Sequence, residues 1–418
     1  MNEGAAAFVR RGANQPRVGD FNQIVIIDAI RRSEGGLSRV ELAAVTGLAT
    51  QTVSNICRRL IDLDFVVESG KIGGGLGKPR TILKLNPASQ YAVGVHLDPA
   101  VITFVVLDLS GGVVASSRTL TPAVTGPDAI VVDIASAIDD LITRSGLGRN
   151  RILGAGIAAP GPIDLERGTI VDPPNLAGWH QVPIRDALAV ATGMPVLLEK
   201  DVTAAAVAEM WAGGQGGTGT FLVVYLGTGI GAGLVLNAEV VRGVSGNAGE
   251  MGHIVTDPDG ARCSCGLRGC VAATITVQAL VNEAIEQGVP GVGGAPNASI
   301  DAAFETLCGL ANAGPGQARE IIDRSAVRMA RAVAVIANLF DVRRVVFGGP
   351  YWASLAAIYL ERIPALLHPG LAARAIHRVE VVGTSLGENL GAIGAASLVF
   401  DQTFSPHPAT LVLTPGST

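Results

Sequence analysis

The most specific pattern in the chain lies between residues 250 and 270: Glu250-Met-Gly-His253, nine further residues, and Cys263-Ser-Cys-Gly-Leu-Arg-Gly-Cys270. Three thiols and one imidazole in such a short segment suit a tetrahedral zinc ion, and the glycines between the last two cysteines allow a tight reversal of the chain. A closed set of four ligands leaves no open position, so we predict a structural zinc site. Its ligands are His253, Cys263, Cys265 and Cys270. The alternative is three buried cysteines beside an unrelated histidine.

The cysteine count and the N-terminal sequence both bear on where in the cell the protein is located. The chain has 5 cysteines in 418 residues, and an odd number with three clustered is typical of metal ligands and reduced thiols. Residues 1–15 lack an apolar run of signal-peptide length. The uncharged stretch 210–238 is too interrupted by glycine and threonine to be a membrane span. We expect a cytoplasmic protein that does not enter a membrane.

The composition excludes several classes of protein. Hydrophobic residues make up 48% and charged residues 16%, which excludes a disordered chain, and the 54 glycines without a Gly-X-Y repeat exclude a collagen-like one. The net charge of −5 is unevenly distributed, because residues 1–90 carry +4 and residues 91–418 carry −9. This asymmetry predicts a nucleic-acid-facing head on a body with a different role.

The basic head contains the pattern of a helix-turn-helix. Ser38-Arg-Val-Glu41 is a capping-box sequence that starts one helix. Gly47 supplies a turn, and Thr50 can cap a second helix, in which apolar residues recur from Val53 to Leu60 at i, i+3, i+4 and i+7. The opposite face is polar and ends in two arginines, as the reading of base edges and the clamping of phosphates require.

A second segment of the head has the pattern of a wing. Residues 65–68 can pair with residues 81–85 across a glycine-rich basic loop, whose backbone can lie close to phosphates. The head is therefore interpreted as a DNA-binding winged helix. The predicted DNA contacts are Ser38, Arg39, Thr50, Gln51, Thr52, Ser54, Asn55, Arg58, Arg59, Lys78 and Arg80. The alternative is a helical hairpin that docks a protein through a solvated polar face.

Beyond the head, candidate strands and helices alternate from residue 91 to residue 400. This alternation predicts an α/β body with central sheets. The candidate strands are 92–97, 102–109, 152–158, 221–226, 231–236 and 345–347, and the candidate helices are 129–144, 202–211 and 325–340.

Residues 20–400 resemble the ROK family of bacterial sugar-responsive repressors and sugar kinases. The matching segments, in the family's order, are Ala159-Pro-Gly-Pro162, Asn175-Leu-Ala-Gly-Trp179, Leu226-Gly-Thr-Gly-Ile-Gly231, Glu250-Met-Gly-His253 and the three spaced cysteines. The resemblance implies a two-lobed, actin-like (ribonuclease H-like) ATPase fold, and an attached winged helix marks the repressor branch. The expected organisation is a flexible tail (1–19), a winged helix-turn-helix (20–87), a first lobe (88–200, completed by about 384–402), a second lobe with the zinc site (201–383) and a loose tail (403–418).

The resemblance also implies a degenerate phosphate site. Family kinases end the first strand of the body with an acidic residue and Gly-Gly-Thr, whereas the matching stretch here is Val95-His-Leu-Asp-Pro-Ala-Val101. Proline has no N–H to donate, and phosphoryl transfer depends on such positioning. His96 is expected to be structural. The second phosphate loop, with Gly227, Thr228, Gly229 and Gly231, is intact, although such a loop is also a tight turn between two buried strands.

The sugar pocket implied by the resemblance keeps some family residues and replaces others. The family's Glu-Asn-Asp-Ala-Asn run appears as Glu199-Lys-Asp-Val-Thr203, and a family glutamate after the zinc cysteines is Ala272. The implied ligand contacts are Asn175, Lys200, Asp201, Glu250 and His253, with Asp201 as a vestigial catalytic base. Lys200 can answer an anionic group of the ligand, or pair with Glu199 or Asp201 and close the site. The alternatives for Asp201 and Glu250 are a helix-capping carboxylate and a surface acid.

Three functions follow from these patterns. The first is a transcriptional regulator, expected to be a repressor, that binds palindromic operator DNA as a homodimer or homotetramer and responds to a sugar or sugar derivative in the cleft between the lobes. The second is an ATP-dependent sugar kinase, glucokinase-like, that carries a DNA-binding head. The third is a regulator that no longer responds to an effector. The missing Gly-Gly-Thr favours the first.

Overall fold

The computed structural model describes residues 15–33, 35–72, 79–121, 127–173, 176, 178–214, 219–293 and 299–406, and of residues 15–19, 71, 72 and 127 the backbone alone. The chain divides into two compact units. One unit, the head, comprises residues 1–90, 108–112 and 400–418, and the other, the body, comprises residues 91–107 and 113–399.

The described residues form twelve α-helices and fifteen strands. The helices are α1 (Gln15–Arg31), α2 (Arg39–Thr46), α3 (Thr50–Asp62), α4 (Pro127–Ser145), α5 (Ile184–Thr192), α6 (Asp201–Ala212), α7 (Val271–Thr274), α8 (Val277–Glu286), α9 (Ile300–Ala313), α10 (Gln317–Phe340), α11 (Trp352–Leu367) and α12 (Leu390–Phe404). The strands are β1 (Leu37–Ser38), β2 (Val66–Ile72), β3 (Arg80–Leu85), β4 (Tyr91–Leu97), β5 (Val101–Asp108), β6 (Val113–Leu120), β7 (Ile152–Ala159), β8 (Ile163–Asp164), β9 (Thr169–Ile170), β10 (Val196–Lys200), β11 (Phe221–Leu226), β12 (Ile230–Leu236), β13 (Glu239–Val240), β14 (Arg344–Gly348) and β15 (Glu380–Gly383).

The N-terminal part of the head contains the helices α1–α3 and a small sheet of order β1-β3-β2, in which β3 is antiparallel to both neighbours. The predicted capping box is confirmed: the Ser38 hydroxyl accepts from the N–H of Glu41, and the Glu41 carboxylate accepts from the N–H of Ser38 at 2.8 Å. α2 ends at Gly47, whose φ of +70° favours glycine. The predicted winged-helix architecture is therefore present.

Three local predictions for the head are wrong. α1 begins at Gln15, so residues 15–19 are helical and not part of a flexible tail, and residues 1–14 lie outside the described residues. The N-cap of α3 is Ala49, without a side-chain hydrogen bond, so Thr50 is the first helical residue and not its cap. The tail expected to be loose from residue 403 is helical at its start, because α12 runs to Phe404, whose ring is buried and meets Phe65 edge-on at 5.6 Å between centroids. Burial of an aromatic ring explains why the helix continues into that segment. Residues 407–418 of that tail lie outside the described residues.

The body contains two five-stranded sheets of the same kind. The first has the order β10-β7-β4-β5-β6, with β10, β7 and β4 parallel. The second has the order β13-β12-β11-β14-β15, with β11, β14 and β15 parallel and β12 antiparallel to β11. Each sheet packs against its own apolar cluster, so the predicted two-lobed α/β fold is confirmed.

Most predicted elements of the body are also confirmed. The strand expected at 221–226 has these bounds in the structure, and the other five candidate strands shift by one or two residues at their ends. α10 differs most, because it begins at Gln317 and not at residue 325. Ala318, Ile321 and Ile322 are buried in this first part of the helix at i, i+3 and i+4, so the apolar stripe already starts there and the predicted start missed it.

Glycines allow the helices between the sheets to approach closely. A Cβ at Gly156 of β7 would lie 1.8 Å from the Ala395 carbonyl oxygen of α12, and one at Gly394 of α12 would lie 2.1 Å from that of Ala204 in α6. Neither distance is sterically possible for a larger residue. α6 is consequently buried from Val202 to Trp211, and it begins directly after β10, where the polar residues Lys200 and Asp201 emerge.

None of the helices in the described ranges combines the length and the apolar character that a membrane crossing needs.

Candidate functional site

A cleft of about 420 Å³ opens in the body at the start of α6. It brings together residues from β10, the β11–β12 turn and the segment before the cysteines. The predicted site residues in its lining are Lys200, Asp201, Gly227, Thr228, Gly229, Gly231, Glu250 and His253. Asn175 lies outside the described residues. That these groups bind a ligand stays a prediction.

Asp201 is the first residue of α6, where a carboxylate is favoured by the helix dipole. One of its oxygens accepts a hydrogen bond from the N–H of Val202 at 2.7 Å. Burial raises the pKa of Asp201 to about 6, with a hydrogen bond and Lys200 opposing the rise and Glu250 and Asp98 adding to it. At neutral pH this carboxylate is mostly ionised and is a strong hydrogen-bond acceptor.

Lys200 forms an ion pair that differs from both predicted ones. Its ammonium group donates to a carboxylate oxygen of Glu250 and, at 3.3 and 3.4 Å, to the backbone carbonyls of Asn247 and Ala248. The pairing with Glu199 or Asp201, one of the alternatives that the sequence left open, is therefore not the one that Lys200 makes, although its charge still lowers the pKa of Asp201. The physical reason is that the loop before the zinc cysteines supplies three acceptors at one point. The Lys200 side chain is 3% exposed and that of Glu250 62%.

Glu199 is held on the other side of the strand end. Its carboxylate accepts from the Arg242 guanidinium at 2.6 Å, and its side chain is buried. Successive residues of a strand point to opposite sides, so Glu199 and Lys200 reach different partners. Arg242 was not among the predicted residues, since no local signal links two positions 43 residues apart.

The segment that follows β4, where the resemblance placed a degenerate phosphate loop, is held by internal hydrogen bonds. Asp98, which follows β4, accepts from the backbone N–H of Ala100 at 2.9 Å, and the N–H of Val101 also bonds to it. Burial raises the pKa of Asp98 despite these bonds, and the nearby charge of Asp301 adds to the effect. Asp98 lines the cleft but was not predicted as a site residue. The signal available in the sequence was its place in the stretch 95–101, which lacks the glycine pair of the family kinases.

Two buried rings lie behind this loop. His96 of β4 is 6% exposed, and its ring meets that of Tyr225 edge-on, with the imidazole Nε2 3.4 Å from the phenol oxygen. Burial lowers the pKa of His96 to about 4, so the imidazole is neutral. This arrangement agrees with the structural role predicted for His96. Tyr225 lines the cleft and was missed, because it reads as one more apolar residue of β11.

The predicted second phosphate loop, Gly227–Gly231, has features of a tight turn between strands and of a ligand-binding loop. It joins the buried antiparallel strands β11 and β12 and is closed by a hydrogen bond from the N–H of Gly227 to the carbonyl of Gly229 at 2.9 Å. Thr228 is half-buried and Gly229 is exposed at the cleft. The turn is therefore tight and also accessible to a ligand.

The four predicted metal ligands come together beside the cleft. Their ligand atoms all lie within 4.8 Å of one another. Nδ1 of His253 is 3.5 Å from Sγ of Cys263, and the sulfurs of Cys265 and Cys270 are 3.7 Å apart. A tetrahedral ion with metal–sulfur bonds of about 2.3 Å places its ligands about 3.8 Å apart. The cluster thus fits a metal ion without large rearrangement.

A backbone hydrogen bond within the cluster favours the ionised form of one thiol. The N–H of Cys265 is the largest of several hydrogen-bonding influences that lower the pKa of Cys263 to about 6. A deprotonated thiol is the form that binds metals. Gly266 and Gly269 have φ values of +91° and +67°, so the reversal that brings Cys270 back requires residues without a Cβ.

The predicted reading face of the head lies on α3. Val53, Cys57 and Leu60 are buried. The remaining predicted contacts on this helix are exposed or half-buried: Thr50, Gln51, Thr52, Ser54, Asn55, Arg58 and Arg59. Gln51 donates to Asn55 at 3.2 Å. Whether this face binds DNA stays a prediction.

Predicted contacts outside α3 have different outcomes. Ser38 is 2% exposed and its hydroxyl is bonded to Glu41, so the prediction that Ser38 contacts DNA is wrong: the capping box uses its hydroxyl. Arg39 lies 3.3 Å from Glu68 of the wing, and Arg80 is exposed. Lys78 lies outside the described residues.

Relatives of this protein match either nearly the whole chain or a smaller part of it. Residues 92–402 match the model of the ROK family. The xylose repressor of Bacillus subtilis is 26% identical over 394 residues, which cover 93% of this chain and 97% of the repressor. A glucokinase of Halalkalibacterium halodurans is 29% identical over 327 residues, which cover 75% of this chain and 96% of the kinase. The repressor match is long enough to include most of the head.

A solved structure supports the fold along nearly the whole length. A ROK family transcriptional regulator, a homologue of the Escherichia coli Mlc protein, superposes with a TM-score of 0.76 at 23% identity, over 93% of this chain and 98% of that one. Since the family model alone spans well over half of the sequence, this protein belongs to the ROK family.

Proposed function

We propose that this protein is a sugar-responsive transcriptional repressor of carbohydrate metabolism that acts in the cytoplasm. The head reads an operator through α3, and a sugar or sugar derivative in the cleft of the body controls that binding. The observation that carries the proposal is the exposed polar and basic face of α3, above a buried apolar stripe, in the same chain as the cleft. Base reading requires such a face.

The contacts proposed for the operator divide by chemistry. Gln51, Thr52, Ser54 and Asn55 offer hydrogen bonds to base edges, and Arg58, Arg59 and Arg80 offer charge to phosphates. Helix-turn-helix proteins read palindromes as dimers, so we propose a homodimer or a higher homo-oligomer. The net charge of −9 on residues 91–418 repels DNA phosphates and leaves contact to the head.

The effector site is proposed at Asp201, Glu250 and His253. Carboxylates accept hydrogen bonds from sugar hydroxyls. The His253 ring turns Nδ1 toward Cys263 and also lines the cleft, so its other nitrogen is proposed to face the ligand. A structural zinc ion at His253 and the three cysteines would fix that ring, as outer groups commonly orient a binding residue.

The alternative of an active sugar kinase is less well supported. The amides that follow β4 bond to Asp98, a negative group where a kinase would hold the transferred phosphate, and Pro99 has no N–H. Phosphoryl transfer relies on positioning and on positive charge. We therefore propose that kinase activity is lost and that Asp201 and the Gly227–Gly231 loop are vestiges of it.

The test begins with operator selection. Genomic fragments enriched on the full-length protein should contain an inverted repeat, and fluorescence anisotropy should show affinity for that repeat at least about a thousandfold above random duplex. Sugars are then added to the complex. One class of sugar should change the affinity of the protein for the operator. Binding to all duplexes alike would refute the operator, and a response to no sugar would refute the effector.

A further inference from the structure

Lys200 lies in the cleft at a position where the family's Glu-Asn-Asp-Ala-Asn run has an asparagine, and all of its donors are occupied. An ammonium group has three N–H donors. Here their acceptors are the Glu250 carboxylate and the carbonyls of Asn247 and Ala248. With a side chain only 3% exposed, Lys200 has no further donor to offer a ligand.

The surroundings hold Lys200 in this position. Its aliphatic stem passes over Gly161, where a Cβ would lie 3.1 Å from Cε of Lys200. The loop that supplies the two carbonyls is itself fixed, because the Asn247 side chain accepts from the N–H of Ile163 and donates to its carbonyl, each at 2.8 Å. The ion pair is thus part of a rigid wall of the cleft.

An anionic ligand would have to dismantle this wall. To bind a phosphate or carboxylate, the Lys200 ammonium would have to leave Glu250. The negative charge of Glu250 would then face the incoming anion. The described lining contains two further carboxylates, Asp98 and Asp201, and Lys200 is its single lysine or arginine. Once Lys200 and Glu250 neutralise each other, the remaining field repels anions and favours hydroxyl donors.

We propose that the Lys200–Glu250 pair restricts the cleft to polyhydroxyl ligands that carry no negative charge, so that phosphorylated and acidic sugars are rejected. This inference rests on the proposed function, since it concerns the same effector site. Lys200 acts as a specificity-determining residue: it occupies one oxygen of Glu250, neutralises it, and leaves the other oxygen as an acceptor for a ligand hydroxyl.

The test compares matched ligands on the full-length protein by calorimetry at pH 7.5. The probes are xylose, glucose, mannose, galactose and N-acetylglucosamine, each with its phosphate, together with glucosamine and the uronic acids. A sugar that binds should do so at least about tenfold more tightly than its phosphorylated or acid form. An anionic form that binds equally or more tightly would overturn the inference while leaving the proposed function intact.

A variant tests the role of the pair. Glu250→Gln removes the charge that holds Lys200, so the preference for the uncharged sugar should shrink by about tenfold or more. The control is Glu361→Gln, which removes a carboxylate of equal exposure, 62%, from its pair with Arg319 far along the sequence on α11, and should leave the preference unchanged. An unchanged preference in Glu250→Gln would overturn the role of the pair. If no probe binds wild-type protein, the effector site itself fails, and this inference with it.

Discussion

The carboxylate of Asp98 accepts a hydrogen bond from the backbone N–H of Ala100 at 2.9 Å, immediately after the first strand of the body. The N–H of Val101 bonds to it as well. Amides at such a turn are what a phosphate-binding loop offers to its ligand. In this protein the Asp98 carboxylate already accepts from these amides, and this is the observation behind the proposed loss of kinase activity.

The double variant Asp98→Gly, Pro99→Gly should therefore gain affinity for nucleotide. The substitution frees the amides, restores an N–H at position 99, and removes one negative charge from the cleft, so Mg²⁺ and a non-hydrolysable ATP analogue should bind at least about tenfold more tightly than to wild-type protein. Calorimetry measures the difference. Wild-type protein should show no ATP consumption with any hexose in a coupled assay.

The control for this experiment is Asp139→Asn, which removes a carboxylate of α4 that pairs with Arg149 and does not line the cleft. It should leave nucleotide binding as it is in the wild type. Robust turnover of ATP by wild-type protein would contradict the proposal. It would show that phosphoryl transfer proceeds even though the amides after β4 are bonded to Asp98.

Removal of the metal should weaken the effector response of the cleft more than the DNA affinity of the head. Purified protein should contain about one zinc ion per chain, and Cys265→Ser should lose most of it, because one of four ligands is gone. His253 and Glu250 would then lose their fixed position, so the effector response should weaken while affinity for operator DNA is retained. Elemental analysis and anisotropy measure the two effects. The matched control is Cys308→Ser, a buried cysteine of α9 outside the cluster; metal retained in Cys265→Ser would refute the site.

Local patterns of the sequence were sufficient to predict the elements and the metal cluster. The strand Phe221–Leu226 and the Ser38–Glu41 capping box depend on residues that are adjacent or three apart. The four metal ligands lie within one short segment, so their meeting point follows from the spacing. Such features need no knowledge of which distant segments pack together.

Contacts between distant segments were not predictable in the same way. Lys200 and Glu250 are 50 residues apart, and the choice of partner depends on how the loop at 247–250 meets the end of β10. A pattern could show that Lys200 needs an acceptor but not which one. Ser38 illustrates a second limit: one hydroxyl suited both a cap and a DNA contact, and only its burial decides between them.

Arg58 should contribute to DNA affinity without contributing to sequence choice. It is exposed at the end of the polar face of α3, where a guanidinium can reach a phosphate. Arg58→Ala should weaken binding to operator and random duplex by similar factors and reduce the slope of log affinity against log salt by about 1. Arg167→Ala, which removes a 78% exposed arginine from the body, should change neither quantity. A variant that loses affinity for the operator alone would instead place Arg58 at a base edge.

The pKa of Asp201 gives the effector site a pH dependence of known sign. The pKa is raised from 3.8 to about 6, mainly by burial, with Glu250 and Asp98 adding to the rise and a hydrogen bond and Lys200 opposing it. Above pH 6 the carboxylate is ionised and accepts from ligand hydroxyls, so affinity for an uncharged sugar should be highest there and fall as the pH drops through 6. Asp201→Asn should weaken binding at pH 7.5 and remove most of this pH dependence.

The same shift predicts an opposite effect of Asp201→Asn on stability. Because the folded state binds the proton more tightly than the unfolded state, the free energy of unfolding falls as the pH rises from about 4 to 6, and at neutral pH the buried charge is a cost. Asp201→Asn removes that cost, so its Tm at pH 7.5 should rise by roughly 2 to 4 °C, whereas Asp139→Asn should not raise it. A variant that binds sugar less well yet unfolds at a higher temperature would identify Asp201 as a binding group kept at the expense of stability. A fall in both would mean that Asp201 serves the fold.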